Sequence, residues 1–332
     1  MEQLLIDYKQ ILSDYVVNRK EETLYNGQNY VRQLIQKNVA PEDVINIHRK
    51  AVEEIYTELP DSLSHAYDFL IEVMVQYGMK TREHQSLLIQ KEELRIEMEI
   101  AARIQNILLN TTVPKIDQLD IGMISEPIRK MNGDYVHFLF DEEEDYLSIA
   151  VADVVGKGVP AALCMSMLKN GLETLEYGNN DPSYILQVLN RIIEKSVDDG
   201  MFVSSFYGRY DVNSSILTYG SAGHEPALYF NSKENAFCDL ECKGLLLGVM
   251  PEVKYSQSNI RLEENDFIMI VTDGVTELRD CDVIDSRNLL KEIAFSIRHL
   301  PAQEMCEKIY LELQRLQDYN LEDDFTIVIL KK

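Results

Sequence analysis

Asp153-Val-Val-Gly-Lys-Gly158 is the stretch around which the rest of the chain is organised. It follows the apolar run Leu147-Ser-Ile-Ala-Val-Ala152, which predicts a buried strand, and it precedes a helical pattern that begins at Pro160. The glycines permit a tight turn in which backbone groups approach a ligand closely. The stretch therefore predicts a strand, an aspartate where that strand ends, a tight turn and a helix.

Three other places in the chain also bring a carboxylate to the end of a predicted strand. They are Asp134, which follows a glycine, Asp273, which closes an apolar run, and the pair Asp323 and Asp324, which opens another. Turns and N-caps use aspartate routinely, so one such residue proves little. Four strand ends that each carry a carboxylate predict a common site.

The predicted site offers only oxygen ligands, because no His or Cys adjoins any of these aspartates. Hard oxygen ligands favour Mg²⁺ or Mn²⁺ over zinc. Several carboxylates in one pocket repel one another unless cations are present, so metal binding would also stabilise the cluster. Two such ions bridge a water and clamp a phosphoryl group for in-line attack. The sequence therefore predicts two Mg²⁺ or Mn²⁺ ions.

Composition and spacing exclude several other classes. The formal net charge of −24 opposes a nucleic-acid footprint or an anionic membrane surface, and no apolar run approaches the roughly 18 residues of a membrane span. Five cysteines, an odd number, predict a reduced, cytoplasmic protein without a disulfide framework. Cys238 and Cys242 lack a second pair for zinc, and the turn around Lys157 lacks the P-loop pattern.

Residues 1 to about 80 are predicted to form an all-helical bundle. Apolar residues recur at helical spacing from Leu4 to Tyr15 and in several later segments. Pro41-Glu-Asp43 has the proline and the carboxylates that are typical of a first helical turn. Four antiparallel helices are the natural interpretation. Their apolar stripes form a core, or a surface for a partner or a second copy, and His48 fits a half-buried position better than a ligand.

The segment from 81 to 110 is predicted to be a helical linker. It is charged and free of Gly and Pro, and it carries two apolar seams, interrupted in the first by Lys91 and Gln105. Two interpretations fit: one amphipathic helix packed along the next domain, or a short coiled coil with an under-specified register. The seams consist of Leu87, Leu94, Ala101 and Leu108, and of Ile96, Ile100, Ile104 and Ile107.

Residues 111–332 are predicted to form a layered α+β domain with central antiparallel sheets, because helical patterns are inserted among consecutive strand patterns. The predicted helices are 160–176, 182–197 and 302–316. The predicted strands are 119–124, 135–140, 147–151, 201–211, 216–221, 227–230, 267–271 and 325–330.

Five motifs in this region together resemble the bacterial, sporulation-phosphatase-like branch of the PPM-type metal-dependent serine/threonine phosphatases. They are Gly-Asp-Tyr135, Asp153-Val-Val-Gly-Lys-Gly158, Ser-Ala-Gly-His224, Thr-Asp-Gly-Val-Thr-Glu277 and Asp-Asp-Phe-Thr326. The whole chain, helical part included, resembles the general-stress regulator phosphatases of that family. The resemblance implies an antiparallel β-sandwich flanked by helices.

The resemblance also implies roles for individual residues. Asp153 corresponds to the aspartate that bridges the metal ions, and the Val154 carbonyl to the adjacent backbone ligand. The remaining acidic ligands correspond to Asp134, Asp273 and Asp323, with Asp324 as a neighbour. The basic phosphate-binding residue of the eukaryotic enzymes is missing; Lys157 is available, although an exposed turn lysine is an equal interpretation. His224 is interpreted as a support for the site.

Substrate and partners follow from the resemblance alone. It implies a phosphoserine on an anti-sigma-factor antagonist as substrate, and a helical domain that dimerises and binds a switch-kinase-like activator. Two other functions are weighed against this one. The intact set of aspartates opposes a catalytically inactive scaffold on the same fold, and the acidic surface opposes a two-metal phosphodiesterase or nuclease.

Overall fold

The computed structural model describes residues 2–19, 21–37, 39–56, 60–128, 130–156, 158–175, 181–196, 200–276, 286–316 and 323–332. The chain divides into two compact units, Met1–Arg95 and Ile96–Lys332. Among the described residues, no helix is long and apolar enough to cross a membrane.

The first unit is helical, as predicted. It contains α1 (Glu2–Asn18), α2 (Glu21–Gln36), α3 (Pro41–Ile55) and the first part of α4 (Asp61–Leu108). Helix α1 packs against both α2 and α3, and a small core forms around Leu4, Tyr30, Leu34 and Ile47. The Tyr30 hydroxyl donates a hydrogen bond of 2.9 Å to the Leu4 carbonyl, so this buried polar group is satisfied.

Helix α4 is a single helix of 48 residues, so the predicted boundary at residue 80 falls inside a continuous element. Its last turns belong to the second unit and pack there through Ala102, Gln105 and Leu109, which recur at helical spacing. The isoleucine seam is exposed along the same turns. These turns thus pack within the second unit through a stripe that shares with the predicted seams only Gln105, the residue that interrupts the first seam.

The second unit is a sandwich of two antiparallel five-stranded sheets, which confirms the predicted fold class. One sheet has the order β2-β3-β4-β5-β8 and the other the order β1-β10-β9-β6-β7. The strands are β1 (Asp120–Glu126), β2 (Asp134–Asp141), β3 (Tyr146–Val155), β4 (Phe202–Asp211), β5 (Ile216–Ala222), β6 (Ala227–Asn231), β7 (Ala236–Leu240), β8 (Ser258–Arg261), β9 (Phe267–Val271) and β10 (Phe325–Lys331). The helices are α5 (Val159–Leu175), α6 (Pro182–Ser196), α7 (Asp273–Thr276), α8 (Ser286–Ile297) and α9 (Ala302–Leu316).

Strand β3 shows how the layers are built. Ile149 and Val151 point into the core between the two sheets, whereas Ala150 and Ala152 lie under α5 and α6. Successive side chains of a strand face opposite ways, so a continuous apolar run indicates a strand covered on both faces. Helices α8 and α9 cover the outer face of the second sheet in the same way.

Several details differ from the sequence prediction. Strand β3 continues two residues beyond Asp153, because its backbone stays paired with β4 as far as Val155. Strands β7 and β8 and helices α7 and α8 were not predicted. Both strands are short and lie at sheet edges, where one side needs no partner and fewer apolar residues suffice. The predicted helix ends at Glu176 and Val197 lie outside the described residues.

Candidate active site

Asp134 and Asp153 are direct neighbours across two strands. Antiparallel pairing of β2 with β3 sets them opposite each other, with Ser204 of β4 next in the row. Directly opposed residues have Cβ atoms about 4.5–5.5 Å apart and point to the same face of the sheet. That face is the one between the two sheets, because Val136 and Val151, two residues along each strand, belong to the inter-sheet core. The structure therefore brings the two carboxylates together as predicted.

Asp134 is buried and held by the other sheet. Thr272, directly after β9, donates a hydrogen bond of 2.7 Å from its hydroxyl to Asp134 Oδ2. Burial raises the pKa of Asp134 well above its usual value, and the nearby carboxylate of Asp153 adds to the shift. Hydrogen bonds from Thr326 and Thr272 oppose it, whereas Asp324 raises it further. Without a cation, the raised pKa favours a protonated Asp134, and a bound cation would stabilise the ionised form of these crowded carboxylates.

Asp324 organises the loop that carries Asp134. Its Oδ1 accepts a hydrogen bond of 2.8 Å from the backbone N–H of Ile128, and its Oδ2 accepts one from the N–H of Gly133. A Cβ atom at Gly133 would lie 2.9 Å from Asp324 Oδ2, so a larger residue would collide with this carboxylate. The neighbouring Asp323 is exposed, and its Oδ1 accepts a bond of 3.0 Å from the Asp324 N–H.

Asp273 is the first residue of α7 and half-buried. The segment after it lies directly against the residues that precede β10, since a Cβ atom at Gly274 would lie 2.1 Å from the Asp324 carbonyl oxygen. Only glycine permits that approach. The structure thus joins the chain segments of Asp273, Asp323 and Asp324 at one edge of the sandwich.

The oxygen donors fit the hard cations predicted from the sequence. Val154, whose carbonyl is a predicted ligand, donates its N–H to the Gly133 carbonyl at 3.1 Å, beside the Asp134 and Asp153 pair. Within the described ranges, no three carboxylate, imidazole or thiol groups already converge into a complete ligand set. Lys157 and Glu277 lie outside those ranges.

Gln105, which interrupts the first predicted seam of α4, belongs to this site. Its side-chain amide donates to the Asn132 carbonyl at 2.7 Å and accepts from the Asn132 N–H at 3.1 Å. Asn132 in turn accepts a hydrogen bond of 2.9 Å from the Asp134 N–H. The end of α4 is therefore bonded directly to the loop that presents Asp134. The only feature of the sequence that could have indicated this role is a polar residue at a position where the helical pattern calls for an apolar one.

His224 lies behind the row of carboxylates. Its Nδ1 shares a hydrogen bond of 2.9 Å with the Ser204 hydroxyl, and Ser204 is the cross-strand neighbour of Asp153. Burial lowers the pKa of His224 to about 4, although an interaction with the Val271 backbone opposes the shift. The imidazole is therefore neutral near pH 7 and contacts the β4 side of the site through Ser204, while its supporting role stays a prediction.

Glu225, the residue after His224, connects α7 to α8. It accepts a hydrogen bond of 2.9 Å from the Thr276 hydroxyl and forms an ion pair of 3.3 Å with Arg287. Arg287 also donates to the Pro226 carbonyl at 2.5 Å. This network fixes the short helix that begins with Asp273, and the sequence patterns did not indicate it.

Comparison with known proteins agrees with this fold. The model of the family "Stage II sporulation protein E (SpoIIE)" matches residues 143–332, and that of "Phosphoserine phosphatase RsbU, N-terminal domain" matches residues 6–80. Phosphoserine phosphatase RsbU of Bacillus subtilis is 45% identical over 325 residues, which cover 98% of this chain and 96% of the relative.

Solved structures show the same fold at lower identity. The SiaA-PP2C domain of Pseudomonas aeruginosa superposes with a TM-score of 0.60 at 18% identity, over 73% of this chain and 98% of that one. The RsbU and RsbW domains of Rv1364c from Mycobacterium tuberculosis superpose with a TM-score of 0.57 at 24% identity, over 64% and 59%.

The sandwich and its acidic edge define a serine/threonine phosphatase of the PPM type. Within that class, the chain belongs to the SpoIIE family, on the branch that phosphoserine phosphatase RsbU represents.

Proposed function

We propose that this enzyme is a metal-dependent phosphatase that removes the phosphoryl group from a phosphoserine of an anti-sigma-factor antagonist and so switches on a stress response. The observation that carries the proposal is the paired Asp134 and Asp153 on the inner face of β2 and β3. The relative with 45% identity is named a phosphoserine phosphatase, which supports the same reaction.

We infer that two Mn²⁺ or Mg²⁺ ions are held by the residues that the sequence selected. Asp153 would bridge the ions, and Asp134, Asp273, Asp323, Asp324 and the Val154 carbonyl would supply the other oxygens. Such ions, when bound, lower the pKa of a water molecule and neutralise charge on the phosphoryl group.

The chain's own groups orient these ligands. The Thr272 hydroxyl fixes Oδ2 of Asp134. Asp324 holds the Gly133 backbone, and Gln105 holds the Asn132 backbone, so the loop before Asp134 is fixed from two directions. Ligands held in advance by hydrogen bonds bind a cation with less loss of conformational entropy.

Regulation is assigned to the helical unit. Residues 6–80 match the N-terminal domain of RsbU, and no group of three or more His, Cys, Asp or Glu side chains that could hold a metal ion lies in the described part of that unit. We infer that a switch-kinase-like activator binds there, that the chain forms a homodimer in the cytoplasm, and that 81–110 links residues 1–80 to the phosphatase domain 111–332. The exposed isoleucine seam of α4 supports pairing with a second copy.

Phosphate release tests the proposal. The purified chain, with and without millimolar Mn²⁺, is offered a phosphoserine anti-sigma-factor antagonist and, separately, a phosphodiester such as bis-p-nitrophenyl phosphate. We expect Mn²⁺-dependent release of phosphate from the phosphoprotein and no cleavage of the diester. Cleavage of the diester alone would favour the phosphodiesterase, and no turnover with the activator present would favour the inactive scaffold.

A further inference from the structure

The edge of the sandwich that carries the carboxylates also exposes an apolar surface. We call it the apolar rim, and it consists of Val155, Val159, Leu163, Val249 and Met250, each between 41% and 57% exposed. Nine large apolar side chains are exposed in the described residues between Leu109 and Lys332; five form the rim and a sixth, Leu245, borders it. The exposed apolar surface of this region is thus concentrated beside the site.

The rim adjoins the site through the backbone. Val155 ends β3 two residues after Asp153, and Val159 and Leu163 lie one turn apart on α5, which follows. On the other side of β3, the strand β4 is bridged to the loop of Val249 and Met250 by two hydrogen bonds between Val203 and Leu247, of 3.1 and 2.9 Å. One continuous edge therefore joins the rim to the carboxylates.

The loop half of the rim is held rigidly. Asn190, buried in α6, donates a hydrogen bond of 2.7 Å to the Met250 carbonyl and accepts one of 2.9 Å from the Gly248 N–H. Gly248 has φ of +91°, a conformation that favours glycine. The fold thus fixes this loop while its apolar side chains stay in water, which is typical of a surface built for a partner.

The loop also lines a cavity, and the residues of this cavity indicate which kind of partner would bind there. The cavity has a volume of about 470 Å³ and lies beside Met250. Its apolar walls are Leu245 and Val253, and its charged residues are Lys243, Lys254 and Glu252. Neither lysine forms an ion pair within the described residues. On a chain of net charge −24, two such lysines mark a place for an apolar side chain with an acidic neighbour.

We propose that the apolar rim and its cavity are the docking surface for the folded body of the phosphoserine protein, an inference that rests on the proposed function. A phosphoserine alone covers little surface, whereas a specific protein complex buries roughly 800 Å² on each partner. A substrate whose phosphoserine reaches the carboxylates covers the adjoining edge. The rim therefore selects the substrate through contacts outside the reacting group.

Full-length variants with a charge on the rim test this inference. Leu163→Glu and Met250→Glu are compared with Leu311→Glu, a matched control on α9 whose leucine is 59% exposed. Each is assayed with the folded phosphoserine anti-sigma-factor antagonist, with a short peptide that contains the same phosphoserine, and with p-nitrophenyl phosphate. Circular dichroism and light scattering check folding and oligomeric state.

We expect each rim variant to lower kcat/KM for the folded protein by about tenfold or more, through KM, because a buried anchor residue typically contributes that much. The peptide and p-nitrophenyl phosphate should be turned over within about twofold of wild type, and the control should match wild type throughout. Lys243→Glu should raise KM for the folded protein alone.

Four outcomes would overturn the inference. An unchanged KM for the folded protein removes the docking role, and an equal loss on all three substrates means that the variants disturb the site itself. A change of oligomeric state in the rim variants alone means that a second copy of the chain covers this surface. If wild type releases no phosphate from the phosphoprotein, the proposed function fails and the inference fails with it.

Discussion

Single residues decide how the acidic edge tolerates its charge. Asp134 is buried beside Asp153, and the hydroxyls of Thr272 and Thr326 hydrogen-bond its carboxyl group. Neutralising either carboxylate relieves repulsion in the absence of metal but removes a ligand charge. Neutralising Asp134 or Asp153 should therefore lower the activity while it leaves the stability without metal equal or higher.

Replacement of the bridging carboxylate tests the site assignment. Asp153→Asn should lower Mn²⁺-dependent turnover by roughly 10²–10³-fold or more, because a neutral amide holds two cations far less well. The free energy of unfolding without metal should stay equal or rise. Phosphate release and chemical denaturation measure the two effects, with the exposed Asp117→Asn as control. Wild-type turnover by Asp153→Asn would refute the assignment.

The buried imidazole predicts a pH dependence of stability. The pKa of His224 is about 4 in the folded chain and about 6.5 when unfolded, so the unfolded state binds more protons between these values. The contribution of the neutral His224 to the free energy of unfolding is complete above pH 6.5 and is lost as the pH falls towards 4. From pH 7 to pH 5 the free energy of unfolding should decrease by about 2 kcal/mol on this account.

Denaturant unfolding at both pH values measures that loss. Wild type is compared with His224→Gln, which should show a smaller decrease, because the variant has no imidazole to protonate. Equal decreases in the two proteins would mean that other groups account for the pH dependence.

Among the elements, the end of α4 has the most direct connection to the site. Gln105 is 4% exposed and holds both backbone groups of Asn132. The position is therefore polar because it serves the loop before Asp134, and not because a coiled coil needs to be weakened there. Because Gln105 lies near the end of α4, its hydrogen bonds connect the linker directly to the loop before Asp134, with no other helix or strand between them.

Removing this bond should impair the metal site without unfolding the chain. Gln105→Leu keeps the volume but leaves the Asn132 N–H and carbonyl unpaired, at a cost of about 1–3 kcal/mol of stability. Mn²⁺ affinity should fall by about 10–100-fold, as is typical when a supporting group of a metal site is lost. Calorimetric Mn²⁺ titration measures this, with the exposed neighbour Asn106→Ala as control. Unchanged affinity would make the bond a structural tie only.

The isoleucine seam predicts a different phenotype on the same helix. Ile100 and Ile107 are 55% and 70% exposed, so polar replacements should leave the fold of the single chain intact. If the seam pairs in a dimer, each lost contact costs about 1–3 kcal/mol of burial. The double variant Ile100→Ser, Ile107→Ser should bind the activator normally but respond to it weakly. Normal activation would mean that α4 is only a tether.

At the scale of the whole molecule, the division between the two compact units falls at Arg95, whereas the sequence suggested a phosphatase domain from residue 111. The difference consists of the turns of α4 that carry Ala102 and Gln105. The metal affinity of a truncated fragment should therefore depend on whether the fragment includes these turns.

Truncation distinguishes these boundaries. The fragment 96–332 should fold, bind Mn²⁺ and hydrolyse p-nitrophenyl phosphate without response to an activator, because it lacks the helical unit. The fragment 111–332 should bind Mn²⁺ more weakly, by a factor similar to that of Gln105→Leu. Mn²⁺ titration and phosphate release compare the two. Equal affinities would show that α4 contributes nothing to the site, and loss of binding by both would refute the domain division.

The sequence by itself determined most of the elements, and it predicted the chemistry of the site. Continuous apolar runs such as Phe267–Val271 indicate covered strands, and aspartates beside such runs indicate an oxygen-only cation site; both signals are local. All eight predicted strands are present in the structure. The edge strands β7 and β8 gave no comparable signal, because a strand with one free side buries few side chains.

Only the tertiary structure decided which residues meet. Thr272 bonds Asp134 across 138 positions of the chain, Asp324 bonds Gly133 across 191, and Gln105 bonds Asn132 across 27. Periodicity indicates which face of a helix or strand is apolar. It does not indicate which polar groups lie on the neighbouring surface against which that face packs. Gln105 therefore reads as a defect in an isolated helix and as a support for Asp134 once the helix lies on the sandwich.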